Sequence, residues 1–335
     1  MKPVYRIYIL TLFLLIQNSV FASDQFTIQV GTEGGYYNSQ SLGDRLITRL
    51  IGRLNYSNTF DQNFISIKTR LAPEVYGLSF SASTLKFNGQ MFLGQRRKQF
   101  TWQARFATRN YFYKSDQFDD ITFNVFQIGA DLTKPVNNQT IIGLALDYYY
   151  RDSSHRSQSQ LDNYSVSIFT SYQINRSNVI SAELSLGSFK IHRRFQADSI
   201  NANEGIRYGP KVTFNHRSGY ILNFSYQLIR HSSDLLTKNH WENQLEFLWG
   251  KIFARSWSLF FYLNYLFLPD TEQEIPIELT YTPINNENWY HLKLGYDLSK
   301  TKEIYLKLGY TRDVLIYNNQ DLAGWQFLAG IDFKI

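Results

Sequence analysis

The chain has 335 residues, no cysteine, and 34 Lys and Arg against 28 Asp and Glu. The lack of cysteine excludes thiol chemistry, a disulfide framework and a lipoprotein anchor, and a formal charge of +6 is too small an excess to point to nucleic acid. Aromatic residues reach 17%, with 24 Tyr and 26 Phe, yet the mean hydropathy is −0.32, a pairing that suits a wall with one face in lipid and the other in water.

The first element reads as an export signal over residues 1–22. Lys2 and Arg6 form its basic start, Ile7 to Ile16 its apolar stretch of ten, and Val20-Phe21-Ala22 its cleavage site. An apolar run of that length is too short to span a bilayer as a helix. Cleavage before Ser23 leaves 23–335 as a single domain and lowers the charge excess from six to four. No apolar run of about 18 residues follows, so helical spans are excluded.

From there period-2 alternation dominates. Leu46, Thr48, Leu50, Gly52, Leu54 and Tyr56 alternate with Arg45, Arg49, Arg53 and Asn55. Similar segments recur around Trp102, Leu146, Phe224, Phe247 and Leu306. Sixteen strands are expected, at 25–32, 45–57, 62–72, 76–93, 99–112, 121–133, 139–151, 162–174, 178–190, 204–216, 219–231, 239–250, 255–268, 288–299, 302–312 and 322–335. Most are about 10 to 13 residues long, the length of a tilted strand that crosses a bilayer, whereas soluble strands average about 5 to 6. The fold class is therefore all-β: a transmembrane antiparallel up-and-down barrel of about 16 strands, with 14 as the alternative because the N-terminal quarter alternates least cleanly.

Short linkers at 175–177, 216–218, 251–254 and 299–301 alternate with longer ones at 113–120, 152–161, 191–203, 232–238, 269–287 and 313–321. Short turns face the periplasm in outer-membrane barrels, so both termini are expected there. Trp102, Trp249 and Trp257 then lie near the periplasmic edge, and Trp241 and Trp325 near the outer one, as two aromatic girdles. Trp289 has the wrong parity for lipid and is assigned to a loop. Gly34-Gly35 reads as a turn. Pro73, Pro135, Pro269, Pro276 and Pro283 fall at turns or loops, and Pro210 alone interrupts a strand.

The last segment resembles the terminal assembly signal of bacterial outer-membrane proteins: Gly330 is followed by Phe333 at +3 and by Ile335, the last residue, at +5. It departs from that pattern in having Ile335 where an aromatic is usual and Leu328 where a polar residue is usual. The resemblance covers the architecture of 23–335 and names no particular family. It implies a Gram-negative outer-membrane location, lipid and lipopolysaccharide as surroundings, and the barrel-insertion machinery as a partner.

Candidate chemistry centres on a basic ladder expected to face the lumen, formed by Arg45, Arg49, Arg53, Lys68, Arg70, Arg105 and Arg109. Such a wall attracts anions. The competing reading pairs these residues with inward acids, namely Asp131, Asp147, Glu183, Glu242, Glu246 and Asp297. Glu242 and Glu246 sit on a later strand, so a field across the lumen is expected. No catalytic residue is assigned: His155/Ser157 and His231/Ser233 have a hydrolase-like spacing that chance supplies in a Ser-rich chain. No metal set and no cofactor-binding motif is found, and the basic loop with His192, Arg193 and Arg194 reads as solvated rather than as a lipopolysaccharide contact. The leading expectation is a porin-like channel for small, anionic solutes, with 269–287 folded inward as a constriction. The alternatives are a non-conducting binding or assembly platform whose lumen is filled by Phe64, Tyr149, Phe169, Phe260 and Tyr262, and a lipid-modifying hydrolase.

Overall fold

The computed structural model describes residues 25–39, 43–77, 82–115, 121–154, 159–193, 202–235, 240–254, 256–267, 281, 287–313 and 323–335. The expected signal at 1–22 lies outside them. Sixteen strands follow in order: β1 (Gln25–Ser39), β2 (Gly43–Phe60), β3 (Asn63–Tyr76), β4 (Ala82–Arg96), β5 (Thr101–Ser115), β6 (Ile121–Pro135), β7 (Thr140–Ser154), β8 (Ser159–Asn175), β9 (Asn178–Arg193), β10 (Ala202–Ser218), β11 (Tyr220–Ser233), β12 (His240–Phe253), β13 (Trp257–Phe267), β14 (Glu287–Ser299), β15 (Lys302–Asp313) and β16 (Ala323–Lys334). Each pairs antiparallel with its sequence neighbours, and β1 pairs with β16. The result is a closed all-β barrel of sixteen strands.

The seam is regular. It runs from Gln29↔Lys334 to Ser39↔Gly324, and Ile28 and Ile335 exchange two backbone hydrogen bonds of 3.2 and 2.8 Å. Closure leaves no strand edge, which lipid would otherwise leave unsatisfied at several kcal/mol per polar group. One end of the barrel is reversed by connections of one to four residues, the other by connections of three to nineteen.

Alternation sets the facing of every strand. On β2, Leu46 and Leu50 are 50% and 52% exposed, while Ile47 and Ile51 between them are 1% exposed. All four are apolar, so position in the pleat decides burial and not residue type. The even face meets lipid; the odd face, with Arg45, Arg49 and Arg53, meets the lumen.

Several boundaries differ from expectation. Gly34-Gly35 is not a turn: both lie inside β1, where a Cβ on Gly35 would collide with the Phe327 carbonyl oxygen. Glycine is needed there for the close approach of β1 to β16. Residues 216–218 belong to β10, and the chain reverses at Gly219 alone, with φ +71°. Likewise β12 takes up 251–253, and Ala254 turns at φ 43°. Pro73 lies within β3 rather than at a turn, so two prolines interrupt strands. At both, the ladder skips two residues and resumes in the same register: β2–β3 pairs Arg49↔Glu74 then Gly52↔Leu71, and β10–β11 pairs Tyr208↔Arg230 then Lys211↔Gln227. The missing N–H costs pairing without a bulge. Pro269, Pro276 and Pro283 lie outside the described residues.

Inside, five bulky rings sit directly across the ladder from glycines. The pairs are Phe64↔Gly94, Phe169↔Gly143, Phe189↔Gly205, Phe260↔Gly250 and Tyr305↔Gly330. A Cβ at any of these glycines would overlap the partner ring, so each ring lies against bare backbone. Phe64, Phe169 and Phe260 therefore lie on the wall, not across the lumen. We expect Gly250→Val to push Phe260 off the wall at a cost of about 1–3 kcal/mol, read as a lower urea midpoint for loss of the fast-migrating folded band on a gel.

Candidate functional site

The strand faces converge on a lumen cavity of about 690 Å³ lined by β1–β6 and β13–β16. Its wall carries seven cationic side chains (Arg49, Arg53, Arg70, Lys86, Arg109, Lys293 and Lys307) and three carboxylates (Glu33, Glu74 and Asp332). The acids are all tied. Arg49 bridges two of them, with Nη1 2.6 Å from Glu33 and Nε 2.7 Å from Glu74. Tyr305 donates to Glu33 at 2.9 Å and Tyr76 to Glu74 at 2.8 Å. Asp332 takes Gln29 at 3.1 Å and lies 3.6 Å from Arg53 and 3.9 Å from Lys293. Glu33, Glu74 and Asp332 are almost fully buried, so their charge is spent on neighbouring side chains.

Two cation pairs stand directly opposite each other on this wall: Arg53↔Arg70 across β2–β3, and Lys293↔Lys307 across β14–β15. Like charges facing across a ladder destabilise a sheet. Lys293 is partly relieved by Glu303 at 2.8 Å, and Lys307 by Glu33 at 3.9 Å.

Beyond the cavity, the wall is nearly balanced. Arg105 on β5 forks to Asp131 and Asp147 on the next two strands, both at 2.9 Å. On β10, Arg207 contacts Glu242 at 3.0 Å, and Glu242 accepts from His231 at 2.6 Å. Arg207 Nη1 also donates to the Tyr281 hydroxyl at 2.7 Å, and its guanidinium lies 3.7 Å from that ring's centre. Tyr281 packs among Tyr111, Phe123, Tyr149, Leu161, Phe189 and Ile191, side chains of β5 to β9. The connection after β13 thus places one ring inside the barrel, on the opposite wall, close to the strand ends that carry the long connections.

The residues singled out by sequence divide as follows. Arg49, Arg53, Arg70 and Arg109 line the cavity, and Arg105 does not. Arg45 and Lys68 share the inward parity of Arg49 and Arg70 on their strands. The ladder on β2 is broken by the buried Ile47 and Ile51. Asp131 and Asp147 pair with Arg105 as the competing reading expected, but Glu242 pairs with Arg207 rather than with the ladder. Glu246 stands between Ser225 and Asn264 on the lumen face. Trp289 is not a loop residue: it is on β14 and lines the cavity. His192 lies in β9, paired with Gln160 and Ala202; Arg194 and His155 lie outside the described residues. Trp102, Trp241, Trp257 and Trp325 are 38–49% exposed on the outer face, and Trp249 shares that face on β12. Trp325 meets Tyr290 and Tyr310 with ring centres 5.6 Å apart.

Sequence reasoning missed Glu33, Glu74, Asp332, Lys86, Arg207, Lys293 and Lys307. Parity alone would have found the three lysines, since each shares the inward face of its strand. Glu33 was lost with the misplaced turn at Gly34.

The sequence matches no protein-family model and none of the curated proteins. Among solved structures it is similar to OccK1 (OpdK) of Pseudomonas aeruginosa, at 10% identity over 93% of this chain and 98% of that one, with a TM-score of 0.43. OccAB4 of Acinetobacter baumannii gives 9% identity, 95% and 99% coverage and 0.42. A bacterial polysaccharide outer membrane secretin gives 10%, 92% and 97%, and 0.39. At these identities the likeness is one of barrel architecture.

Arg49 is the clasp of this site. We expect Arg49→Gln to cost about 3 kcal/mol, the low end for breaking a buried pair, because Lys86 and Lys307 still face the orphaned acids. The triple change Glu33→Gln, Arg49→Met, Glu74→Gln should recover most of the loss in the same urea titration.

Proposed function

We propose that the barrel is a passive pore of a bacterial outer membrane that favours small anions. The carrying observation is the pair of cation–cation rungs, Arg53↔Arg70 and Lys293↔Lys307. A wall that keeps like charges opposed gives up stability for a local positive field, and a low-dielectric rim focuses that field on the cavity. An excess of cations over already paired acids is what an entering anion meets. The outward apolar belt suits lipid, and Trp102, Trp241, Trp249, Trp257 and Trp325 serve as its interfacial girdles. Gly330, Phe333 and Ile335 serve as the terminal signal to the insertion machinery, and lipopolysaccharide surrounds the long-connection end.

Phe64, Phe169 and Phe260 fold onto glycines of the neighbouring strand, which argues against their filling the lumen, whereas Tyr149 is buried in the cluster around Tyr281. Tyr281 narrows the passage against the wall of β5 to β11, in the role expected of the 269–287 connection. A hydrolase would need its histidine toward lipid. His231 instead faces the lumen with Nε2 2.6 Å from Glu242.

The test is reversal potential and single-channel conductance across planar bilayers under a salt gradient. The wild type should prefer chloride. Arg70→Gln should lower that preference and stabilise the barrel by about 0.2–1 kcal/mol, since it removes an opposed charge. Tyr281→Ala should raise unit conductance. Absence of conductance steps at any voltage overturns the pore; cation preference overturns the anion reading.

A further inference from the structure

The register also sets donors side by side across the strands, at right angles to any ladder along one of them. A single line of inward positions passes from β1 to β5 as Gln29↔Arg53, Arg53↔Arg70, Arg70↔Asn88 and Asn88↔Arg109. Neighbours in this row are about 4.8 Å apart, the spacing of paired strands, and none of the five is a carboxylate. All but Gln29 line the cavity. The nearby acids are turned elsewhere: Glu74 toward Arg49, Lys86 and Tyr76, and Glu33 toward Arg49 and Tyr305. Asp332 alone reaches the row, at its far end, through Gln29 at 3.1 Å and Arg53 at 3.6 Å. Arg70 stands in the middle. Among the described residues no hydrogen bond or ion pair engages its guanidinium, and its buried Nε has no partner. A buried donor left unmade is costly, and more so on a charged group.

We infer that Arg53, Arg70 and Arg109, with Asn88 between them, form a binding site for a doubly charged tetrahedral oxyanion, a phosphate or sulfate group. This rests on the pore reading and deepens it by giving the cationic wall a preferred solute. Each guanidinium presents its N–H groups as a planar fork that matches two oxygens of such a group. Opposed guanidiniums repel when alone, and a double negative charge between them turns the repulsion into attraction. The Asn88 amide donates to a remaining oxygen. A singly charged anion such as nitrate or acetate satisfies one fork and leaves the other facing a cation. The lysine rung offers no equivalent, since Lys293 is held by Glu303 at 2.8 Å and an ammonium is a point charge without a fork.

The experiment uses the full barrel purified in lipid. Sulfate, phosphate, glycerol phosphate, nitrate and acetate are compared by equilibrium dialysis at equal ionic strength, buffered where phosphate is doubly charged, and in parallel as block of chloride current in planar bilayers. Sulfate and phosphate should bind about 10- to 100-fold more tightly than nitrate or acetate, the factor expected of one further charge-assisted hydrogen bond. Tighter binding of glycerol phosphate than of phosphate assigns the site to an ester, the reverse order assigns it to the free ion, and equal affinity shows that the group alone is read. Arg70→Lys keeps the charge and removes the fork, so it should cut the sulfate-to-acetate affinity ratio about 10-fold, and Asn88→Ala should cut it about 3-fold. A heat-modifiable band confirms that each variant is a barrel. Equal affinity for sulfate and acetate, or a sulfate preference that survives Arg70→Lys, overturns the inference. Should Arg70→Lys fail to fold, an undiminished preference in Asn88→Ala overturns it equally. Dialysis binding without conductance would overturn the pore and leave the oxyanion site standing; anion-selective conductance without sulfate preference would do the reverse.

Discussion

Everything in this barrel depends on one requirement: a backbone surrounded by lipid must find all its hydrogen bonds within itself. Sixteen antiparallel ladders meet that requirement only if the first strand finds the last. The β1–β16 seam does so with eleven registered pairs and the Ile28–Ile335 exchange. The glycine at 35 and the tolerated gaps at Pro73 and Pro210 are local adjustments to the same demand. Close approach is bought at the seam by removing a side chain, and lost pairing at the prolines is absorbed without a change of register.

Once the ring is closed, the pleat hands alternate residues to two different solvents. The outer set reads as an ordinary lipid-facing surface. The inner set is where the chain departs from what stability alone favours, with opposed arginines, opposed lysines and half-exposed rings on one side of the lumen. The other side is largely self-neutralised, through Arg105 with its two aspartates and Arg207 with Glu242 and Tyr281. The lumen is thus asymmetric across its width, and the field that sequence anticipated arises from where cations outnumber acids, not from a ladder facing a row of glutamates.

The architecture was legible because period 2 is a one-dimensional signal. Arg105 with Asp131 and Asp147 was legible too, since those residues lie on successive strands. The pairing of Glu242 with Arg207 was not, because Arg207 was not among the cations read as facing the lumen. Ile47 and Ile51 show a different limit, because hydropathy cannot tell an apolar residue facing lipid from one packed under lumen side chains. Glu33 was hidden by a local rule that outweighed the global one. Gly-Gly signals a turn, but here the neighbour's backbone needed the space. Tyr281 belongs to the connection expected to fold inward, but with no periodicity there nothing singles it out as the residue that enters the barrel.

The glycines under Phe64, Phe169, Phe189, Phe260 and Tyr305 have one more consequence. They make the bore of the barrel a property of residues that have no side chains. Exchanging Gly94, Gly143 or Gly250 for a larger residue would swing a phenylalanine ring inward while leaving the lumen ion pairs and the contacts with lipid as they were. Permeability in such a wall can drift by small steps during evolution, uncoupled from membrane insertion on the outside and from ion preference on the inside.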